Sequence, residues 1–229
     1  MGIRRTALVL ALCLGSPLAY GDELAPPNIS VYADMMFALT QTKNLTYPSM
    51  DGKVDYHHGD TDGYRARLGV RLNDLNRGPW HFGLEGGLVQ LTNDDTQKQY
   101  NRAPQTHLDG ETAAQKVQVE GEHSLEISGF ELAGRVWFKE YAYARAGALV
   151  YTEKTRLREH RFYRDSQDKT LNRANITEAD SQRRAAPFMS VGAQFPVIKN
   201  VYVAGEYTAY HMDSEWVSTI AAGVQLLFH

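Results

Sequence analysis

The strongest constraint on this chain is where its charges fall. Apolar residues recur at every second position through eight runs, which is the side-chain period of a β-strand. In the second run Tyr64, Ala66, Leu68, Val70 and Leu72 alternate with Arg65, Arg67, Gly69 and Arg71. Glu85, Glu131, Arg135, Arg145 and Glu206 also sit on the polar parity of their runs, and no charge sits on the apolar parity. An Arg or Lys at a bilayer midplane costs about 2–4 kcal/mol. This segregation predicts strands with one face in lipid and the other toward a polar interior. A soluble barrel would instead turn these arginines to water around an apolar core. The aromatic residues favour the membrane, because Trp80, Tyr141 and Trp216 fall at strand ends, where an interfacial girdle sits, and Phe228 closes the last run.

The first run, from Ile29 to Thr40, puts Val31, Ala33, Met35, Phe37 and Leu39 on one face. The third starts at Trp80 and the fourth covers Phe130 to Phe138. In the fifth, Arg145 must point inward, which leaves Ala142, Ala144, Ala146, Ala148 and Val150 outward. The sixth gathers Ala185, Met189, Val191, Ala193 and Phe195, and Pro196 is expected to end it. The seventh starts at Val201 and the eighth covers Trp216 to Phe228. Leu125 and Ile127 oppose the parity of the fourth run, so a bulge or an extension beyond the membrane is expected there. Short links follow strands two, four and six, while long polar links cover 41–62, 93–124 and 154–184. The fold class expected is all-β: an antiparallel up-and-down transmembrane barrel of about eight strands, with short periplasmic turns and long extracellular loops. Alternation persists through Thr155 to Tyr163, so strands five and six are expected to continue above the bilayer.

The N-terminus reads as a secretory signal. Arg4 and Arg5 precede an apolar run from Thr6 to Leu14, and Ala19-Tyr20-Gly21 places small residues for a cut before Asp22. That run is too short to span a bilayer. The division expected is a signal peptide at 1–21 and one barrel domain at 22–229. Losing the two arginines takes the formal net charge from −3 to −5, a balance that excludes nucleic acid as a partner. The single Cys13 lies inside the signal, which leaves no disulfide framework and no thiolate chemistry. Mean hydropathy is −0.43, as alternating strands require, and it excludes a helical membrane protein.

On strand count, loop asymmetry, an Arg/Glu interior and an aromatic-rich last strand, the chain from about Ile29 to His229 resembles the small eight-stranded outer-membrane barrels of the OmpA/OmpX type. The resemblance implies an outer-membrane location and contact with lipid and lipopolysaccharide. It also implies handling by the barrel-assembly machinery, whose clients end in a strand like Trp216 to Phe228. His229 after Phe228 departs from the usual aromatic end. The fold hosts several functions and names none.

An eight-stranded lumen is just wide enough for side chains to fill. Arg65, Arg67, Arg71, Arg135 and Arg145 are expected to pair there with Glu85, Glu131 and Glu206, since unpaired buried charges are costly. A polar plug that holds the barrel together is the first reading, and a narrow or lateral channel for small solutes the second. Arg156, Arg158, Arg161, Arg164, Arg183 and Arg184 in the third long loop are candidates for lipopolysaccharide phosphates. A ribbon protruding there would offer strand edges to an external protein or host surface. His57 and His58 with Asp55, Asp60 and Asp62 hold metal-ligand types without the spacing of a fixed set. His211, Asp213, Ser214 and Glu215 hold the residue types of a lipid A-modifying hydrolase, but Ser214 has the wrong parity. No catalytic, cofactor or metal residue is assigned. The expected role is structural or one of surface interaction.

Overall fold

A computed structural model describes residues 29–42, 45–104, 114–167, 169–213 and 215–228. The signal segment, Asn44, Asp168, Ser214 and His229 lie outside these. The strands are β1 (Ile29–Gln41), β2 (Thr46–Pro48), β3 (Asp55–His57), β4 (Asp60–Leu72), β5 (Trp80–Arg102), β6 (Lys116–Phe138), β7 (Ala142–Arg164), β8 (Thr170–Ile198), β9 (Val201–Met212) and β10 (Glu215–Phe228). All but β2 and β3 close an eight-stranded barrel in which every pairing is antiparallel, and β1 seals it against β10. β2 and β3 form a hairpin inside the first long connection.

Alternation sets which face each side chain takes. Phe37, Leu68 and Leu132 are 74%, 66% and 62% exposed on the outside, while Arg65, Tyr32 and Trp137 are fully buried inside. A soluble protein of this size does not expose so continuous an apolar band, and lipid is the medium that takes it. Trp80 packs on Phe138 at 4.9 Å, and Tyr141 lies 6.4 Å from Phe195, at the rim of short turns. Those turns use positive φ at Lys139 and Asn200. The opposite rim carries the long strands, which is the polarity of outer-membrane barrels. The chain is thus a transmembrane β-barrel of outer-membrane type.

The lumen is filled in three tiers. At the short-turn end lie Tyr32, Trp137, Tyr143, Tyr202 and Leu227. Charged side chains fill the middle. Above them Leu91, Leu125, Ile127, Leu149, Phe188 and Tyr210 make an apolar tier. Glycine makes room for the lowest one: a Cβ on Gly69 would overlap the Tyr32 ring. That ring cannot move away freely, because its hydroxyl donates to Glu85 at 2.8 Å and its edge meets Trp137 at 5.4 Å. Gly69→Ala is expected to destabilise the barrel by about 1–3 kcal/mol, the cost of overpacking, read as a lower urea midpoint in detergent micelles.

Two expectations of extension above the bilayer are met and two others need correction. β7 reaches Arg164 and β8 begins at Thr170, the continuation above the bilayer expected of strands five and six, but the 93–124 connection is also mostly strand and not loop: β5 runs on to Arg102 and β6 begins at Lys116. Leu125 and Ile127 keep the inward parity of Glu131, so β6 is an extension without a bulge. The register shift lies on its partner β5, between Gln90 and Thr92. Pro196 does not end β8, which continues with an irregular step to Ile198, because proline is tolerated where the ladder is irregular.

Candidate functional site

The middle tier is one connected ion-pair net. Glu206 accepts from Arg65 at 2.8 Å, from Arg67 at 3.0 Å, from Arg145 at 2.6 Å and from the Tyr143 hydroxyl at 3.1 Å. Glu85 accepts from Arg145 and, at 3.4 Å, from Arg135. Glu131 takes Arg145 at 2.8 Å and the Tyr210 hydroxyl. Arg135 and Arg145 stand directly opposite across β6 and β7, a like-charge pair made tolerable by sharing Glu85. Arg135 also lies 3.7 Å from the Tyr143 ring centroid and 4.7 Å from that of Trp137.

Asp34 belongs to this net and was missed in the sequence. It pairs with Arg67 at 2.6 Å and with Arg135 at 3.4 Å. Its inward parity in the first run was a signal that could have found it. Arg71 lies apart: it pairs with Glu140 at 3.3 Å at the short-turn rim and covers Trp137 at 4.8 Å. With Asp34 in and Arg71 out, four arginines face four carboxylates and the net is neutral.

Beyond the lipid belt, β5 to β8 rise as a four-stranded ribbon. Past its bulge β5 continues for about 30 Å at 3.3 Å per residue. β4 pairs with β5 only up to Tyr64 and Gln90, and β9 pairs with β8 only from Tyr210 and Phe188 downward. Among the described residues, β8 from Thr170 to Pro187 therefore has no strand on its outer side. Gln194 donates its backbone N–H toward Tyr141 at 2.7 Å, on the β7 side. Even-numbered amides of β8 thus face β7 and odd-numbered ones face the open edge.

The outer face of the ribbon is charged. Lys154 meets Glu126 at 3.3 Å and Arg158 meets Glu122 at 3.9 Å across β6 and β7. Arg156 sits between Ser124 and Ala179, and Arg183 faces Thr152. Of the other three candidates, two turn inward and one stands at the tip. Arg161 is buried on the inner face and bonded to Glu159 at 2.7 Å, Arg184 pairs with Asp213 and Glu153, and Arg164 is half-buried at the ribbon tip. Odd positions of β7 face inward, a parity that separates Arg161 from Arg156 and Arg158.

The β2–β3 hairpin lies on the inner face of the ribbon. Tyr47 donates to Glu153 at 2.8 Å, and Asp51 pairs with Arg102 at 2.9 Å. Tyr56 is fully buried, and its hydroxyl fills the space that a Cβ on Gly121 would take. The supposed ligand cluster is dispersed. His58 turns inward to Asp94 at 3.0 Å and His123 at 2.8 Å, while His57 faces Thr46 at 3.3 Å. No group of His, Cys, Asp and Glu among the described residues could hold a metal ion. The His211 ring lies tilted against Trp216 at 4.9 Å, while Asp213 is held by Arg184.

No protein-family model and no curated protein matches the chain. Solved structures similar to it include Ail, the attachment invasion locus protein of Yersinia pestis, in complex with the heparin analogue sucrose octasulfate. That pair is 12% identical over 87% of this chain and 97% of that one, with a TM-score of 0.43. Neisserial surface protein A is 13% identical over 87% and 96%, with a TM-score of 0.32. The outer membrane protease OmpT of Escherichia coli is 10% identical over 90% and 99%, also at 0.32.

Proposed function

We propose that this chain is a surface-interaction barrel that binds an external protein by strand addition to the open edge of β8. The observation that carries the reading is the unpartnered stretch from Thr170 to Pro187, held rigid on its other side by β7. An edge with odd-numbered amides turned outward supplies main-chain affinity, and alternate side chains supply selectivity. Arg173, Glu178, Asp180 and Arg183 along it discourage indiscriminate pairing, so addition requires a matched segment. The lumen supports a binding role over conduction, since among the described residues the buried ion-pair net is flanked by apolar clusters on both sides.

Lipopolysaccharide is the second partner of this reading. Lys154, Arg156, Arg158 and Arg183 share the outer face above the belt, where their cationic heads would meet lipopolysaccharide phosphates. Contact there would hold the ribbon upright over the membrane.

Proline at an odd position removes an edge donor and leaves the bonds to β7 intact. Cells displaying the wild-type chain are expected to attach to a monolayer of host epithelial cells. Ala179→Pro and Thr177→Pro are expected to lower that attachment about tenfold while the boiling-dependent gel shift of the folded barrel stays unchanged. Full attachment by both proline variants would reject the edge, and so would attachment by a variant with 93–124 and 154–184 cut to short turns.

A further inference from the structure

From the buried contacts of His58 and His123 we infer that the β2–β3 hairpin is an acid-released latch, closed by an imidazole pair that accommodates one added proton but not two. Both rings are almost completely buried, at 1% and 2% exposure. The Asp94 carboxylate only accepts, so His58 donates to it through Nδ1, leaving Nε2 to meet His123 Nδ1 at 2.8 Å. In the neutral pair His123 donates to His58. A first proton fits: His58 then donates at both nitrogens, to Asp94 and to a His123 that has changed tautomer. A second proton does not fit. Both nitrogens of the 2.8 Å contact would then carry hydrogen, and two cations would face each other with one carboxylate in reach.

The pair spans the two parts it joins. His58 follows β3 and His123 stands on β6. Tyr47 stacks on the His123 ring at 4.6 Å and Tyr56 at 5.6 Å, so the hairpin's two tyrosines clamp the ring that must stay neutral. The groups around the pair do not replace Asp94. On β5, Thr96 reaches His58 at 3.3 Å, Lys98 is bonded to the carbonyl of Asp55, and Arg102 is held by Asp51. On β7, Glu153 is taken by Tyr47 and Arg184, and Glu159 by Arg161 and the Met50 amide. On β8, Glu178 and Asp180 line the cleft of about 520 Å³ that His123 borders, a cleft whose lining does not include His58, and neither is hydrogen-bonded to the pair. Glu122 and Glu126 of β6 have the opposite parity to His123 and point out of the ribbon.

Burial first, and His58 second, push the His123 ring down to about 4. Its proton affinity is thus lower in the docked hairpin than in water, where a histidine titrates near 6.5. The contribution to docking is complete above about pH 6.5 and is lost as the pH falls through about 4. Release bares the inner face of the ribbon around Gly121 and His123. The device does not depend on the β8 edge.

Amide hydrogen exchange of the full chain in lipid vesicles tests this. Between pH 7.5 and 4.5, protection of 45–59, corrected for intrinsic rate and referred to 64–72 in the barrel wall, is expected to fall about 70-fold. His123→Phe keeps a stacked ring without a titrating nitrogen and is expected to lose that pH dependence. If His123→Phe is undocked already at pH 7.5, ring resonances of the wild-type histidines decide. The His123 signal is expected to stay neutral until the hairpin opens, with one midpoint for both events. Equal protection at the two pH values, the same fall in a docked His123→Phe, or a His123 ring that titrates near 6.5 under a closed hairpin would each overturn the latch.

Discussion

Glu206→Ala is expected to be the most damaging single substitution in the lumen, at about 3–5 kcal/mol of barrel stability. Glu206 is the hub of the net: Arg65, Arg67 and Arg145 all donate to its carboxylate, with Tyr143 and Thr208 as neutral donors. Alanine removes the acceptor and leaves four guanidinium groups, of Arg65, Arg67, Arg135 and Arg145, to share the three carboxylates of Asp34, Glu85 and Glu131 in a buried space. The lost ion pairs matter less than the cations left behind, because a buried charge without a partner carries its full desolvation penalty. Glu206→Gln keeps an acceptor oxygen and the volume, so a smaller loss is expected. Reversible urea unfolding of the barrel in lipid vesicles, followed by tryptophan fluorescence, gives both numbers. A loss under about 1 kcal/mol for the alanine variant would mean that water reaches the arginines. The lumen would then be wet, and the channel reading would regain its footing.

Much of this net could be read before the structure, for a simple reason. Strand parity is a two-state property, so one buried residue fixes the side of every other residue on its strand until a bulge intervenes. Arg65, Arg67, Glu85, Glu131, Arg135, Arg145 and Glu206 follow from parity alone. What parity does not give is height along the barrel axis. Arg71 and Arg67 share a face, yet one pairs at the rim and the other at the centre, because strand tilt and stagger set the level. Height also hid Asp34, which the register places opposite Arg67.

The extracellular part was less legible. Charged residues weaken the apolar alternation that marks a strand, so the upper halves of β5 and β6 read as loop, while the alternation left in Thr155 to Tyr163 was enough to carry β7 and β8 above the bilayer. There the strands are held by cross-strand ion pairs such as Lys154 with Glu126, and by hydrogen bonding to both neighbours in β6 and β7, not by a lipid-facing stripe. The seat of the hairpin was not legible at all. Asp94 and His123 stand 36 and 65 positions after His58, and only the closed topology brings β5 and β6 under the first connection.

Leu132→Arg tests the other side of the wall, with a loss of about 2–4 kcal/mol expected in a bilayer. Leu132 lies between Gly86 and Ala148 on neighbouring strands and is 62% exposed, in the middle of the belt between the rim aromatics and the charged ribbon. In a soluble protein an arginine at such an exposed site would be neutral or favourable. In lipid its guanidinium must stay in hydrocarbon or reach for a headgroup past Phe130. Urea unfolding in vesicles against the same measurement for Leu132→Met separates the charge from the change of shape. Arg145 supplies the internal contrast: it stands on β7, where the neighbouring Ala144 and Ala146 face lipid, and it is stable because it faces Glu85, Glu131 and Glu206. One residue along the strand thus decides whether the same guanidinium is part of the core or an intruder in the bilayer. A Leu132→Arg variant as stable as Leu132→Met would mean that this face meets water, and the belt would need another partner.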